Sequence, residues 1–219
     1  MRAAFAAFAL LGIVRAGADS VNFDNDATGA APSYWTIAQT HPGPPAHWVI
    51  RPDATAPSRP NVFSQVSSDA NRFEFDIAVY DKVICHDGDL SVKFRIRPGT
   101  PTRTAGVVWR YQDAKNYYLL HFSADQHNVV FFRVHNGKAE PIPIIGGKAH
   151  SFGVNHDIRS GVWYLAKVVF RGPRVRVVLG NRRLFEAADT SIPSTGKTGI
   201  WTKGTTEASF DDFRIDKKN

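Results

Sequence analysis

A single cysteine, Cys85, stands in the 219 residues, so no internal disulfide forms and the fold rests on its core. Between apolar Ile84 and polar His86 it reads as a half-buried hydrophobe rather than a nucleophile. No amphipathic helix of three turns, internal repeat or low-complexity tail occurs, which argues against bundles and solenoids. Gly-x-Ser-x-Gly and His-Glu-x-x-His are missing, and the eight histidines include no pair at i, i+2 or i, i+4, which disfavours a zinc site. Asn-x-Ser/Thr is absent as well, in keeping with a bacterial exported protein. Beyond the first residues no stretch approaches the ~18 uncharged residues of a membrane-spanning helix.

The start of the chain sets the expected compartment. Met1-Arg2 is cationic, Ala3 to Val14 is uncharged and apolar, and Ala16-Gly17-Ala18 has the small residues a signal peptidase accepts. Residues 1–18 therefore read as a signal peptide cleaved before Asp19. The apolar run spans only about 18 Å as a helix, against roughly 30 Å of hydrocarbon. An exported protein, periplasmic or extracellular, is expected. Cleavage removes Arg2 and Arg15, so 27 basic residues become 25 against 20 acidic ones and the formal charge falls from +7 to +5. Export disfavours nucleic acid and leaves acidic polysaccharide or envelope phosphate as the polyanions to consider; surface charge for solubility explains the surplus equally well.

The whole chain is 43% hydrophobic, and the remaining residues, 19–219, read as a single domain. Its clearest stretch is Ala105 to Val134. Three apolar runs, Gly106 to Tyr111, Tyr117 to Phe122 and Val129 to Val134, are separated by polar breaks and predict a three-stranded antiparallel meander. Leu90, Val92, Phe94 and Ile96 alternate with Ser91, Lys93, Arg95 and Arg97, predicting a half-buried strand with a basic outer stripe. Phe73 to Ile77 alternates apolar with acidic residues, which separates its carboxylates from its apolar side chains. Trp163 to Phe170 and Val175 to Leu179 form a hairpin across Arg171-Gly172-Pro173-Arg174. About twelve short strands at regular spacing describe an all-β sandwich of two antiparallel sheets.

GDLSVKFRI at 88–96, AGVVWRYQDAKNYYLLHF at 105–122, FFRVHNGK at 131–138, GVWYLAKVVFRG at 161–172, then LFEAADTS, GKTGIWTK and FDDFRI together resemble a concanavalin A-like jelly roll. More closely, the chain is similar to the laminin G-like domains grouped with the 3-keto-disaccharide hydrolase family of exported bacterial proteins. The resemblance implies a jelly-roll fold for nearly all of residues 20–216. Activity follows less directly, because the fold hosts lectins, glucanases, lyases and interaction domains.

Glu74-Phe75-Asp76-Ile77 supplies the first half of the Glu-x-Asp-x-x-Glu strand of laminarinase-type glycosidases, but Ala78, Val79 and Tyr80 follow and the second carboxylate is missing. Gly196-Lys197-Thr198 has Ser191 where a phosphate-binding loop needs glycine, and reads as a turn between strands. Asp24, Asp26, Asp211 and Asp212 would meet if the first and last strands pair, and are the candidate ligands of a structural calcium; solvated turn carboxylates are the alternative. For sugar, Arg110, His121 and Arg133 of the meander, with Trp201 as an aromatic platform and Lys203 beside it, are the expected polar face. Which of these share a face depends on sheet register. The expected function is a carbohydrate-binding or glycan-interaction module; a hydrolase acting on a glycoside or 3-keto-disaccharide and an envelope interaction domain are the alternatives.

Overall fold

The computed structural model describes residues 17–67, 74–148 and 151–218. The leader expected over residues 1–18 falls, save its last two residues, outside them. Strands carry the described chain: β1 (Asp19–Val21), β2 (Trp35–Gln39), β3 (Trp48–Pro52), β4 (Asn61–Gln65), β5 (Phe75–Cys85), β6 (Asp87–Ile96), β7 (Thr104–Asp113), β8 (Asn116–Ser123), β9 (Asn128–His135), β10 (Lys138–Pro141), β11 (Val154–Asn155), β12 (Tyr164–Arg171), β13 (Arg174–Leu179), β14 (Arg182–Ala188), β15 (Gly196–Lys203) and β16 (Ala208–Lys218). No helix occurs among the described residues. One sheet runs β14-β13-β12-β6-β16-β4-β3, with β1 added on β16; the other runs β10-β9-β8-β7-β15-β5-β2, with β11 added on β9. All pairings are antiparallel, and the chain is a concanavalin A-like jelly-roll sandwich. Strands beyond the twelve expected are short pieces such as β1 and β11, too brief to show an alternation.

β6 keeps its expected alternation. Leu90, Val92, Phe94 and Ile96 are buried between the sheets while Ser91, Lys93 and Arg95 face outward. The meander is β7-β8-β9, in the register Val107↔Leu120↔Phe131. These residues meet the other sheet in a common core, where Trp109 lies 5.2 Å from Phe131 and 6.0 Å from Phe170 of β12.

A second, smaller apolar cluster lies on the outer face of the meander sheet. Ile77, Val79, Val108, Tyr117, Leu119, Val134 and Trp201 form it. Apolar side chains on an outer face need a cover, and the segment after β2 provides it. Thr40 shares a 2.7 Å hydrogen bond with the Tyr117 hydroxyl, His41 Nε2 bonds the Gly137 carbonyl at 3.0 Å, and the His41 ring packs on Phe75. Gln39 starts this strap at one sheet edge and Gly137, between β9 and β10, receives it at the other.

β5 holds the main surprise in polarity. The alternation of Glu74 to Ile77 is kept, but the acidic face is the inner one: Asp76 pairs with Thr202 and lies in the row that continues through Ala105 and Phe122 of the core. Phe75 and Ile77 take the outer face beneath the strap.

Candidate functional site

The five residues expected to bind sugar divide between two places. His121, Trp201 and Lys203 share the outer face of the meander sheet, because Trp201 pairs with Gly106 and Gly106 with His121, and Lys203 lies two residues on. Trp201 is nevertheless 1% exposed, its ring against Phe75 at 5.0 Å. It is the floor of the covered cluster and cannot serve as a platform. His121 is also buried, with Nε2 3.2 Å from Asn128 Oδ1 and its ring edge-on to Phe132. Burial, with a smaller contribution from Lys203, pushes its pKa down to about 4, so the imidazole is neutral at physiological pH. His121 and Lys203 line a cleft of about 250 Å³ with Thr102, Thr104, Ser123 and Gln126.

Arg110 and Arg133 belong elsewhere. Arg133 has the parity of core Phe131, and its guanidinium is held by Glu140, Ser191 and Asp189. Arg110 would face outward with Val108 were β7 regular. A bulge follows Trp109, Arg110 has φ 48°, and the side chain turns inward at the end of the sandwich. Gly196 permits this, since a Cβ there would sit 2.5 Å from the Arg110 carbonyl carbon. The buried guanidinium donates to the carbonyls of His86 at 3.1 Å, Ile192 at 2.9 Å and Gly172 at 2.6 Å, with Asp87 at 3.5 Å. It is a structural clamp.

β1 does pair with β16, and Ser58 bridges Asp24 and Asp211, whereas Asp26 and Asp212 are engaged by other partners. β16 pairs with β4 through Phe210 and with β1 from Phe213, and the bulge at Asp211 and Asp212 lies between. Asp211 accepts the Ser58 and Asp212 amides, both at 2.7 Å; Asp24 accepts the Asn61 amide at 3.2 Å and the Ser58 hydroxyl. Tyr34 donates to Asp26 at 2.7 Å, and Lys93 pairs with Asp212 at 2.7 Å. Burial raises the Asp211 pKa to about 6. N–H groups already point at the oxygens a calcium would need, so these residues fit an ion poorly. Among the described residues no group of three or more His, Cys, Asp or Glu is arranged to hold a metal.

The expected basic stripe is a row of ion pairs, Lys93 with Asp212, Arg95 with Asp53 and Arg97 with Glu207. Beside it lies a groove of about 400 Å³ on the outer face of the β6 sheet. Ser64 and Ser209 form its floor, joined by a 3.0 Å hydrogen bond, and Arg51, Arg95 and Arg97 line it. Trp163, half-buried, rests on the Arg95 guanidinium at 5.1 Å and donates its N–H to Thr55. Sequence reasoning missed this groove, since its floor comes from β4 and β16, 145 residues apart. Cys85 is buried, and desolvation pushes its thiol up to about 11, which removes it as a nucleophile.

No family model and no curated protein matches the chain. Solved structures do. A carbohydrate-binding module, CBM66, from Bacillus subtilis is similar with a TM-score of 0.63 and 20% identity, over 82% of this chain and 93% of that one. Cellulose induced protein, Cip1, has a TM-score of 0.59 and 11% identity, over 90% and 96%. A Bacillus subtilis protein of unknown function with a galectin-like fold has a TM-score of 0.52 and 10% identity, over 83% and 88%. Identities this low establish the shared sandwich fold.

Proposed function

We propose that this chain is an exported carbohydrate-binding β-sandwich protein that takes a saccharide, acidic units preferred, in the groove on the outer face of the β6 sheet. The observation that carries the reading is the groove's composition: a hydroxyl floor at Ser64 and Ser209, guanidinium walls at Arg51 and at Arg95 and Arg97, the latter two paired with Asp53 and Glu207, and the Trp163 ring at its border. Sugar hydroxyls and carboxylates meet the first two, and C–H faces meet the ring. The CBM66 and Cip1 structures support it by fold alone. A hydrolase is less well supported, because the paired carboxylates Glu74 and Asp76 are buried away from both outer faces. Export rests on the pattern of residues 1–18; amino-terminal sequencing of secreted protein should begin at Asp19, and an intact Met1 would overturn it.

One shallow groove should bind with a Kd on the order of 1 mM. Glycan-array hits titrated against Arg51→Ala and Trp163→Ala should each weaken about tenfold, the loss of one charge-assisted hydrogen bond or one ring contact. Binding of an acidic hit should also weaken with salt. Wild-type affinity in both variants would place the sugar elsewhere, and turnover of oligosaccharides or 3-keto-glycosides in the same screen would favour the hydrolase.

A further inference from the structure

A second groove, of about 560 Å³, lies further along the outer face of the β6 sheet, where Ser20, Ser91, Lys167, Asp212 and Arg214 line it. Strand register explains its composition. Ser91 of β6 pairs with Lys167 of β12 on one side and with Arg214 of β16 on the other, and Arg214 pairs in turn with Ser20 of β1. Directly paired residues share a face, so this row sets the Ser91 hydroxyl between two cations. The first groove is built in the same way: Arg95 pairs with Ser209, and Ser209 with Ser64. Ser91 and Arg95 both face outward on β6. Four residues separate them, about 13 Å at ~3.3 Å per residue.

The charges along this face do not cancel. Beside the second groove Asp89 is held by Arg171, Asp216 by Lys218 and Asp212 by Lys93; in the first, Asp53 and Glu207 are matched to Arg95 and Arg97. Three cations are left over. Among the described residues Arg51, Lys167 and Arg214 have no acid partner, and Arg214 makes only a 3.5 Å contact with the Ser20 hydroxyl. Arg51 stands in the first groove and the other two in the second. A lone acidic sugar would answer one groove and leave the cations of the other open, whereas a chain with negative charges at intervals answers both. The ion pair of Lys93 with Asp212 stands between the grooves, its side chains 33% and 36% exposed. A pair so exposed contributes little and parts readily, which leaves Lys93 free to turn to a ligand crossing above it.

We propose that the two grooves are subsites for one acidic polysaccharide chain, which crosses the sheet from the Arg51 groove past Lys93 to Lys167 and Arg214; the inference rests on the saccharide reading of the first groove. A separation of about 13 Å exceeds one sugar ring, so the site takes internal units of an extended chain rather than a chain end. Carboxylate and sulfate groups share the chemistry needed, anionic oxygens that accept from guanidinium and ammonium N–H groups. Joining two weak contacts through one ligand makes the second intramolecular, which raises affinity steeply with chain length.

Calorimetric titration of the full chain with oligogalacturonates and with heparin-derived oligosaccharides, each from disaccharide to octasaccharide, tests this, with cello-oligosaccharides as the neutral series. In at least one acidic series the hexasaccharide should bind about tenfold or more tighter than the disaccharide, and which series does so tells carboxylate from sulfate. Lys167 and Arg214 are exposed, so the double variant Lys167→Ala/Arg214→Ala should fold as wild type does. It should erase the gain with length and leave the disaccharide, expected in the first groove with its Trp163 ring, within about twofold of wild type. Arg51→Ala should weaken both lengths. Equal affinity for disaccharide and hexasaccharide, with both weakened in Arg51→Ala, overturns the second subsite and leaves the first groove standing; so does a gain with length that survives in the double variant. Binding of the neutral series alone, weakened in Arg51→Ala, overturns the acidic chain but not the groove. Wild-type affinity of Arg51→Ala at every length removes the groove reading and this proposal together.

Discussion

Arg110→Ala should destabilise the protein by about 3–5 kcal/mol, the range for removing one member of a buried charged network. Three carbonyls, from His86, Ile192 and Gly172, would lose their shared donor in one step, and Asp87 would lose its nearest guanidinium. Those carbonyls lie in three separate connections, so the guanidinium cross-links the end of the sandwich. Arg110→Lys should recover little, because a single ammonium cannot span a fork that reaches three acceptors. Urea titrations with a common m-value give the difference directly. Trp201→Ala belongs with it, at about 3–5 kcal/mol, since its indole is the floor of the strapped cluster. A loss below about 1 kcal/mol in Arg110→Ala, with sugar affinity reduced instead, would return Arg110 to the binding surface.

Both residues show where a sequence stops being informative. β6 was legible because Leu90 to Arg97 keeps strict period 2, and the meander because its polar breaks are turns. Arg133 was expected with His121 on a polar face, but it shares the parity of Phe131 and so lies on the core side of β9. Arg110 was illegible, since one bulge reverses the face of a residue and nothing in Val107 to Gln112 announces it. Trp201 and His121 were expected on one polar face, which the register grants, but their burial was illegible, because the strap from Thr40 to Pro45 is a Pro-rich loop with no pattern that says where it lands. Asp76 shows the complementary limit: alternation separates the two faces of β5 without saying which is inner. The groove at Ser64 and Ser209 needed the β4 to β16 register, which only the folded chain supplies.

The pH dependence of stability should expose His121. Its folded pKa of about 4 lies below the unfolded value of about 6.5, so between these limits the unfolded chain takes a proton that the native imidazole refuses. Stability contributed by the neutral ring is therefore full above about pH 6.5 and falls as pH drops toward 4, by roughly 3 kcal/mol in total at 1.36 kcal/mol per pKa unit. Asp76 and Asp211 act in the opposite sense. Their folded values of about 6 exceed the ordinary 3.8, so their contributions are full below about 3.8 and are lost as pH rises through 6. The wild-type profile between pH 4 and 7 should accordingly be shallow. The difference between wild type and His121→Gln removes the common terms, because Gln can keep a hydrogen bond to Asn128 but does not titrate. Lys203 and Asp125 share the cleft, and both remain in the variant. Denaturant midpoints at half-unit intervals should show wild type losing roughly 3 kcal/mol relative to His121→Gln from pH 7 to pH 4. A flat difference would mean that the imidazole takes its proton in place, charged in the cleft beside Lys203, and that the polar end of the meander face is open to an anion after all.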